Sequence, residues 1–186
     1  MFAEAKIEVV DLRDVDLPEI PDEDDLESAA TFEENALAKA RYFHRRTRLA
    51  TVADDSGLEV FALNGAPGVL SKRWSQRPDL TGQALDDANN ALLLQRLGDR
   101  VDRAARYVCA AAYCGADQEF VERGETRGRI TSAPRGGGGF GYDPYFESDE
   151  LDGSRTFGEA TMVEKARVSH RARAFGKLLR RLASPD

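Results

Sequence analysis

The stretch from Thr31 to Leu63 constrains the fold more than any other part of the chain. Ala36, Leu37, Ala40 and Phe43 recur at helical spacing and line one face of a helix from about Phe32 to Arg46. Thr31 is a good cap for its first turn, and Glu34 stands three residues later, as in a capping box. The period then changes. Leu49 to Ala53 reads as a buried strand, broken by the turn-type run Asp54-Asp55-Ser56-Gly57 and resuming as extended chain from Leu58 to Leu63.

The remaining segments continue this mixture. Ile7, Val9 and Leu12 suggest a short strand, followed by an acidic loop from Pro18 to Glu27, and Asn64 to Gly68 is a turn. A second helix spans about Thr81 to Leu97, with Leu85, Ala88, Leu92 and Leu93 inward and Gly98 as its stop. Tyr107 to Cys114 and Glu119 to Glu125 make a hairpin around Gly115-Ala116-Asp117. A last helix runs from Met162 to Leu182, restarting at Ser169, with Ala172, Phe175, Leu179 and Leu182 on one side. Strands and helices alternate without a regular βαβ rhythm, which selects a mixed α/β class with helices around one sheet. The 186 residues suit a single domain over 1–186.

Composition narrows the function. No apolar run approaches the roughly 20 residues of a membrane-spanning helix, and the acidic N-terminus lacks the basic start of a signal peptide. Cys109 and Cys114 supply neither a metal spacing nor a disulfide framework, so the expected setting is cytoplasmic. The net charge is −7, but it is unevenly spread. Residues 1–35 carry thirteen acids against Lys6 and Arg13, whereas residues 160–186 carry seven Lys or Arg against Glu164 and Asp186. A basic end of this kind is often only a solvated face, yet it also attracts phosphates. With a pI of about 5.0 and no basic stripe interleaved with aromatics, nucleic acid is not an expected partner.

Three clusters carry chemistry. In the first, Glu34 either completes a cap or ligates a hard cation, and Lys39 either decorates the outer face beside Asn35 or contacts phosphate. In the second, Asp54 and Asp55 at a strand end either make an ordinary Asx turn or share a divalent cation that relieves their repulsion. Mg²⁺ suits oxygen ligands and substrate phosphates, while two histidines and two cysteines make no zinc set. The third runs from Pro134 to Pro144. Gly136, Gly138 and Gly141 match G-x-G-x-x-G by letter, but Asp143-Pro144 stands where a helix should begin and no acid closes a βαβ unit. What remains is a glycine loop that either lets backbone approach a ligand, with Phe140 and Tyr142 to stack on a base, or is a flexible surface loop held by two anchoring aromatics. Lys165, Ser169, His170 and Arg171 add a basic shoulder on the final helix.

These segments together resemble the Ham1-like inosine/xanthosine triphosphate pyrophosphatase family. The resemblance rests on Thr31-Phe32-Glu33-Glu34-Asn35-Ala36, Ala53 to Val60, Gly65-Ala66-Pro67-Gly68-Val69, Gly138 to Pro144, Thr156-Phe157-Gly158-Glu159, Glu164-Lys165 and Ser169-His170-Arg171, in that order. It implies an elongated central mixed sheet flanked by helices, two lobes with a cleft between them, and a homodimer. It also implies cleavage of ITP, dITP or XTP to the monophosphate and pyrophosphate. By position, Glu34 and Asp55 would hold Mg²⁺ and Asp55 would accept the proton of water. Ser56 would contact substrate, Phe140, Gly141, Tyr142, Asp143, His170 and Arg171 would receive the base, and Lys165 would reach substrate from the last helix.

Two positions depart from the family pattern. Members begin with a strand and a Ser/Thr-x-Asn-x-x-Lys loop, whereas this chain opens on Met1-Phe2-Ala3-Glu4-Ala5, which looks like the end of the following helix. The expectation is a first strand missing and a natural protein that is longer; the alternative function is a nucleotide-binding relic without the phosphate loop. Ala166 stands where an Asn commonly follows the Lys.

Overall fold

The computed structural model describes residues 7–15, 17 and 26–184. Met1 to Ala5 and most of the acidic loop, residues 18–25, lie outside the described residues. Four strands form one sheet in the order β1 (Thr51–Val60), β2 (Ala104–Cys114), β3 (Glu119–Ile130) and β4 (Phe146–Ser148), every neighbour antiparallel. Helices α1 (Phe32–Thr47), α2 (Gly82–Leu97), α3 (Met162–Val168) and α4 (His170–Ala183) pack around it. The class is mixed α/β, as the sequence suggested.

Strand β2 explains how helices cover both faces. Ala110 and Ala112 point to one face and meet Phe32, Ala36 and Ala40 of α1. Cys109 and Ala111 point to the other and meet Ala174 and Leu178 of α4. Such small side chains let a helix axis come close on each side, and alternation along the strand delivers them to both. Gly124 on β3 brings α4 closer still, since a Cβ there would stand 2.1 Å from the His170 carbonyl oxygen. A second, aromatic-rich core gathers Leu58, Val60, Leu93, Leu97, Tyr107, Phe146 and Phe157 around α2. Strand β1 passes from one core to the other: Val52 and Ala53 belong to the helix-flanked part, Leu58 and Val60 to the aromatic part. The seam between the lobes falls at Asp54-Asp55-Ser56-Gly57.

Several expectations change. Residues 7–15 form no strand but an exposed segment ending in a turn, with Val9 61% and Leu12 44% exposed, so little burial holds them extended. Asp54 to Gly57 do not break the strand. All four pair in register with Ala111 to Val108, because their polar atoms find partners on neighbouring helices and Gly57 lies where a Cβ would meet the Gly68 carbonyl and Ser71. In α2 the deepest positions are Asn89 and Asn90 with Leu93 and Leu97, while Leu85, Ala88 and Leu92 are half-buried. In α4 the buried residues are Ala174, Leu178 and Leu179, a face set by the Gly124 contact. Helix α3 does end at Ser169, whose hydroxyl then caps α4 by accepting from the Ala172 amide.

Candidate active site

A cavity of about 400 Å³ opens between the two lobes, along β1. Among the described residues β1 is an outer strand of the sheet. Adjacent residues on a strand project to opposite faces, and a cavity at the strand's edge collects both sets.

From the α1 side come Asp55, Asn35 and Lys39. Asn35 is fully buried, accepts the Ala29 amide at 2.9 Å and donates from Nδ2 to Asp55 Oδ2 at 2.9 Å. Lys39 Nζ reaches Glu27 at 2.6 Å and Asp55 Oδ1 at 3.7 Å. Both residues therefore face inward, which corrects the outer-face reading. Burial pushes the Asp55 carboxyl above its ordinary value, and the Asn35 bond and the Lys39 charge offset only part of that. Glu34 is exposed and outside the cavity lining; its carboxylate accepts the Thr31 hydroxyl at 2.8 Å while its amide donates to Thr31 Oγ1, so Thr31 caps α1 through its hydroxyl.

From the α4 side come Asp54, Ser56, His170 and Arg171. Arg171 donates twice to Asp54 Oδ2, at 2.8 and 3.1 Å, and the Ser56 hydroxyl donates to the same oxygen at 2.7 Å. Burial alone would raise Asp54, but Arg171 and Ser56 outweigh it and hold the carboxyl below its ordinary value. Asp54 and Asp55 thus do not share a turn or a face, and Asp54 is neutralised by a guanidinium. The His170 ring stacks on Tyr107 with centroids 4.7 Å apart, and burial, with Arg171 and Lys165 nearby, lowers its pKa to about 3. It is a neutral imidazole at pH 7, and its Nδ1 is buried without a hydrogen-bond partner among the described residues.

The glycine loop closes the opposite wall. Asp143 is buried; its Oδ2 takes the Phe140 amide at 2.8 Å and the Lys165 ammonium, and its Oδ1 takes the Tyr107 hydroxyl at 3.3 Å. Gly139 has φ +77° and its Cβ position lies 2.1 Å from Asp143 Oδ2, so only glycine fits there. Helix α2 grips Gly141 from both sides: Asp86 accepts its amide at 2.8 Å and Asn90 donates to its carbonyl at 2.9 Å. Phe140 is 69% exposed with the Lys165 ammonium 4.8 Å from its ring centroid, a free aromatic face at the rim. Tyr142, expected to stack as well, is instead 5% exposed, and its hydroxyl donates to the Ser71 carbonyl at 2.8 Å. Its ring anchors the loop.

The structure therefore brings together Lys39, Asp55, Ser56, Phe140, Gly141, Tyr142, Asp143, Lys165, His170 and Arg171 around one cavity, and leaves Glu34 off its lining. Sequence reasoning missed Glu27, Lys72, Asp86, Asn90 and Tyr107. The one available signal was the Asn89-Asn90 pair inside the apolar stripe of α2, since buried amides need partners and so mark a tertiary contact. Lys72 stands out among the four cations lining the cavity. Lys39, Lys165 and Arg171 each meet a carboxylate, whereas Lys72 has no ion pair among the described residues.

With Lys39, Lys72, Lys165 and Arg171 set against Glu27, Asp54, Asp55, Asp86 and Asp143, the lining carries one more acid than base. A polyanionic ligand would be repelled unless a cation came with it. Among the described residues no group of three or more His, Cys, Asp or Glu forms a metal cage.

The Ham1 family model matches residues 1–181. A dITP/XTP pyrophosphatase from Mycolicibacterium paratuberculosis is 55% identical over 161 residues, 86% of this chain and 76% of the relative. Two solved structures superimpose. A nucleoside-triphosphatase / dITP/XTP pyrophosphatase from Mycobacterium abscessus has a TM-score of 0.75 and 45% identity, covering 97% of this chain and 90% of its own. A HAM1 protein from Coxiella burnetii has a TM-score of 0.83 and 34% identity, covering 98% and 92%. A match this long, with the cavity built from the motif residues, makes the chain a member of the Ham1 family.

Proposed function

We propose that this chain hydrolyses deaminated purine nucleoside triphosphates (ITP, dITP and XTP) to the monophosphate and pyrophosphate. The observation that carries the reading is Asp55: a carboxylate with a raised pKa, fixed by Asn35 and Lys39 on the wall of a cleft that the glycine loop also lines. A water oxygen attacks the α-phosphorus while its proton passes to Asp55; the bond from that phosphorus to the α–β bridging oxygen breaks, and pyrophosphate leaves. Mg²⁺, when bound through Asp55 and Glu34, would polarise the phosphate oxygens and neutralise charge. Asp55 lines the cleft while the Glu34 carboxylate lies outside its lining, on the helix whose next residue, Asn35, bonds Asp55, so the Glu34 ligand rests on the family resemblance. Lys39 and the uncommitted Lys72 meet the phosphates.

At the other end the base slides against Phe140. Lys165 and Arg171 offer N–H groups to the 6-oxo oxygen of a deaminated purine, and both are donor-only side chains. The 6-amino group of adenine would meet those donors with another donor. A site built to bond one group rejects its replacement far more strongly than stacking does, by ~10⁴ or more. Three further properties belong to this reading through the family resemblance: one domain over the whole chain, a homodimer and a cytoplasmic setting. Among the described residues no helix is long and apolar enough to cross a membrane.

The test is pyrophosphate release from ITP, dITP, XTP, ATP and dUTP by the purified chain with Mg²⁺. Turnover of the first three well above ATP and dUTP is expected. Binding of ITP without turnover would favour the relic, and equal turnover of ATP would remove the base assignment.

A further inference from the structure

Besides the cleft, a groove of about 580 Å³ lies on the other side of α4, between that helix and β3. We propose that this groove binds a condensed inorganic phosphate, a chain of phosphoanhydride-linked units without a nucleobase.

Charge is the first argument. Arg123, Arg167, Arg173, Lys177 and Arg180 line the groove against a single acid, Glu125, in a protein whose net charge is −7. Three of the cations are committed. Arg123 pairs with Glu33 and Glu125 at 2.7 Å each, Arg173 pairs with Glu150, and Lys177 donates to the Arg123 carbonyl at 2.6 Å. These contacts fix the walls without filling the groove. Arg167, at the end of α3, and Arg180, near the end of α4, are exposed and have no partner among the described residues. Arg173, Lys177 and Arg180 recur at spacings of four and three, so they form one ridge along α4. Guanidinium groups bind phosphate oxygens in pairs, and an elongated anion satisfies Arg167 and Arg180 together where a single phosphate meets one.

Shape is the second argument. Between the cations the lining is Gly124, Ala172 and Gly176, which leave a smooth floor for a thin chain. No aromatic side chain lines the groove, so nothing stacks on a base. That separates this surface from the cleft, with its Phe140 rim, and disfavours a nucleotide or nucleic acid as the occupant. The inference does not depend on the hydrolase reading, because no residue lines both the groove and the cleft.

Titrating the ¹⁵N-labelled full chain with orthophosphate, pyrophosphate and tripolyphosphate, without Mg²⁺, tests it through the Gly124 and Gly176 amides. Those signals are expected to shift saturably, with affinity rising with chain length and falling with added salt. The double substitution Arg167→Glu, Arg180→Glu is expected to weaken the groove affinity at least tenfold while ITP turnover at saturating substrate stays within twofold. The milder pair Arg167→Gln, Arg180→Gln gives the same direction should the charge reversal perturb folding. Unmoved Gly124 and Gly176 signals overturn the proposal, as does undiminished binding in folded double variants. So does a response to a single-stranded DNA oligonucleotide in place of tripolyphosphate.

Discussion

Asn35 Nδ2 donates to Asp55 Oδ2 over 2.9 Å, joining the first turns of α1 to the middle of β1 where the two lobes meet. The amide also accepts the Ala29 N–H, so both its functions are spent on position. Asn35→Ala leaves a buried donor and a buried acceptor unpaired, and should cost about 1–3 kcal/mol of stability in urea unfolding. Its more specific effect is on acidity. The Asn35 bond lowers the Asp55 pKa, so its loss lets that pKa rise further, and the acid limb of kcat/KM should move to higher pH. A limb that stays in place would mean that Asp55 is not the group titrating in the profile.

Removing the charge at Asp55 is the direct test of its role. Asp55→Asn keeps the shape and can still meet Asn35, so the fold should remain. Turnover should fall at least 10³-fold, measured as pyrophosphate release, since base catalysis of this kind contributes typically 10²–10⁴-fold. Glu34→Gln and Glu27→Gln then separate the ligands. If Glu34 holds the metal, its substitution should raise the Mg²⁺ concentration for half-maximal rate about tenfold or more. Glu27→Gln should act more weakly, because Glu27 spends its charge on Lys39 and Arg73. The reverse order would move the metal to Glu27.

Lys72 and Lys165 should behave differently although both are cavity lysines. Lys72 is exposed and unpaired, so Lys72→Ala should leave stability within about 0.5 kcal/mol. Its KM for ITP should rise about tenfold, the equivalent of about 1.4 kcal/mol. Lys165 pairs with the buried Asp143. Lys165→Ala strands that carboxylate, and the cost should be about 3–5 kcal/mol of folding stability together with lost base binding. Equal stability losses would show that the Lys165 pair is not structurally committed.

How legible was all this in the sequence? Local signals held where they depended on neighbours in the chain. Thr31 and Ser169 are caps because the amides they accept belong to residues three positions away, and the 115–117 turn follows from short-range chemistry. The motif residues converged because they lie on β1, in the glycine loop between β3 and β4, and on α3 and α4 beside them. Failures came where distant partners decide. Asp54-Asp55-Ser56-Gly57 resembles a turn until Ser71, Asn35 and Arg171 crowd or satisfy it from positions remote in the chain, Asn35 20 and Arg171 117 residues away. Asn89 and Asn90 are buried in a helix face that hydropathy assigns to leucines, because backbone groups at Ser75, Lys72 and Gly141 need them. Tyr142 looked like a stacking ring, but its hydroxyl is drawn inward to the Ser71 carbonyl. Nothing local announces such contacts.

His170 links the cleft to acid stability. An unfolded histidine titrates near 6.5, whereas in the fold this ring protonates only near pH 3. Between those values the unfolded chain binds the extra proton and the native chain does not, so the sign is fixed: stability rises with pH through this window. The contribution is complete above about pH 6.5 and is lost as the pH falls toward 3. Each unit is worth at most about 1.4 kcal/mol, and the partial exposure of the ring reduces that. Carboxylates elsewhere also respond to acid, so the measurement is a difference. Urea unfolding of the wild type and of His170→Gln should be compared at pH 7.5 and pH 5.0. The wild type is expected to lose about 1–2 kcal/mol more than the variant over that interval, with the Tyr107 stack reporting the same change by fluorescence. Parallel losses in the two proteins would mean that the imidazole accepts its proton in the folded state, and the neutral-ring assignment in the base seat would have to be withdrawn.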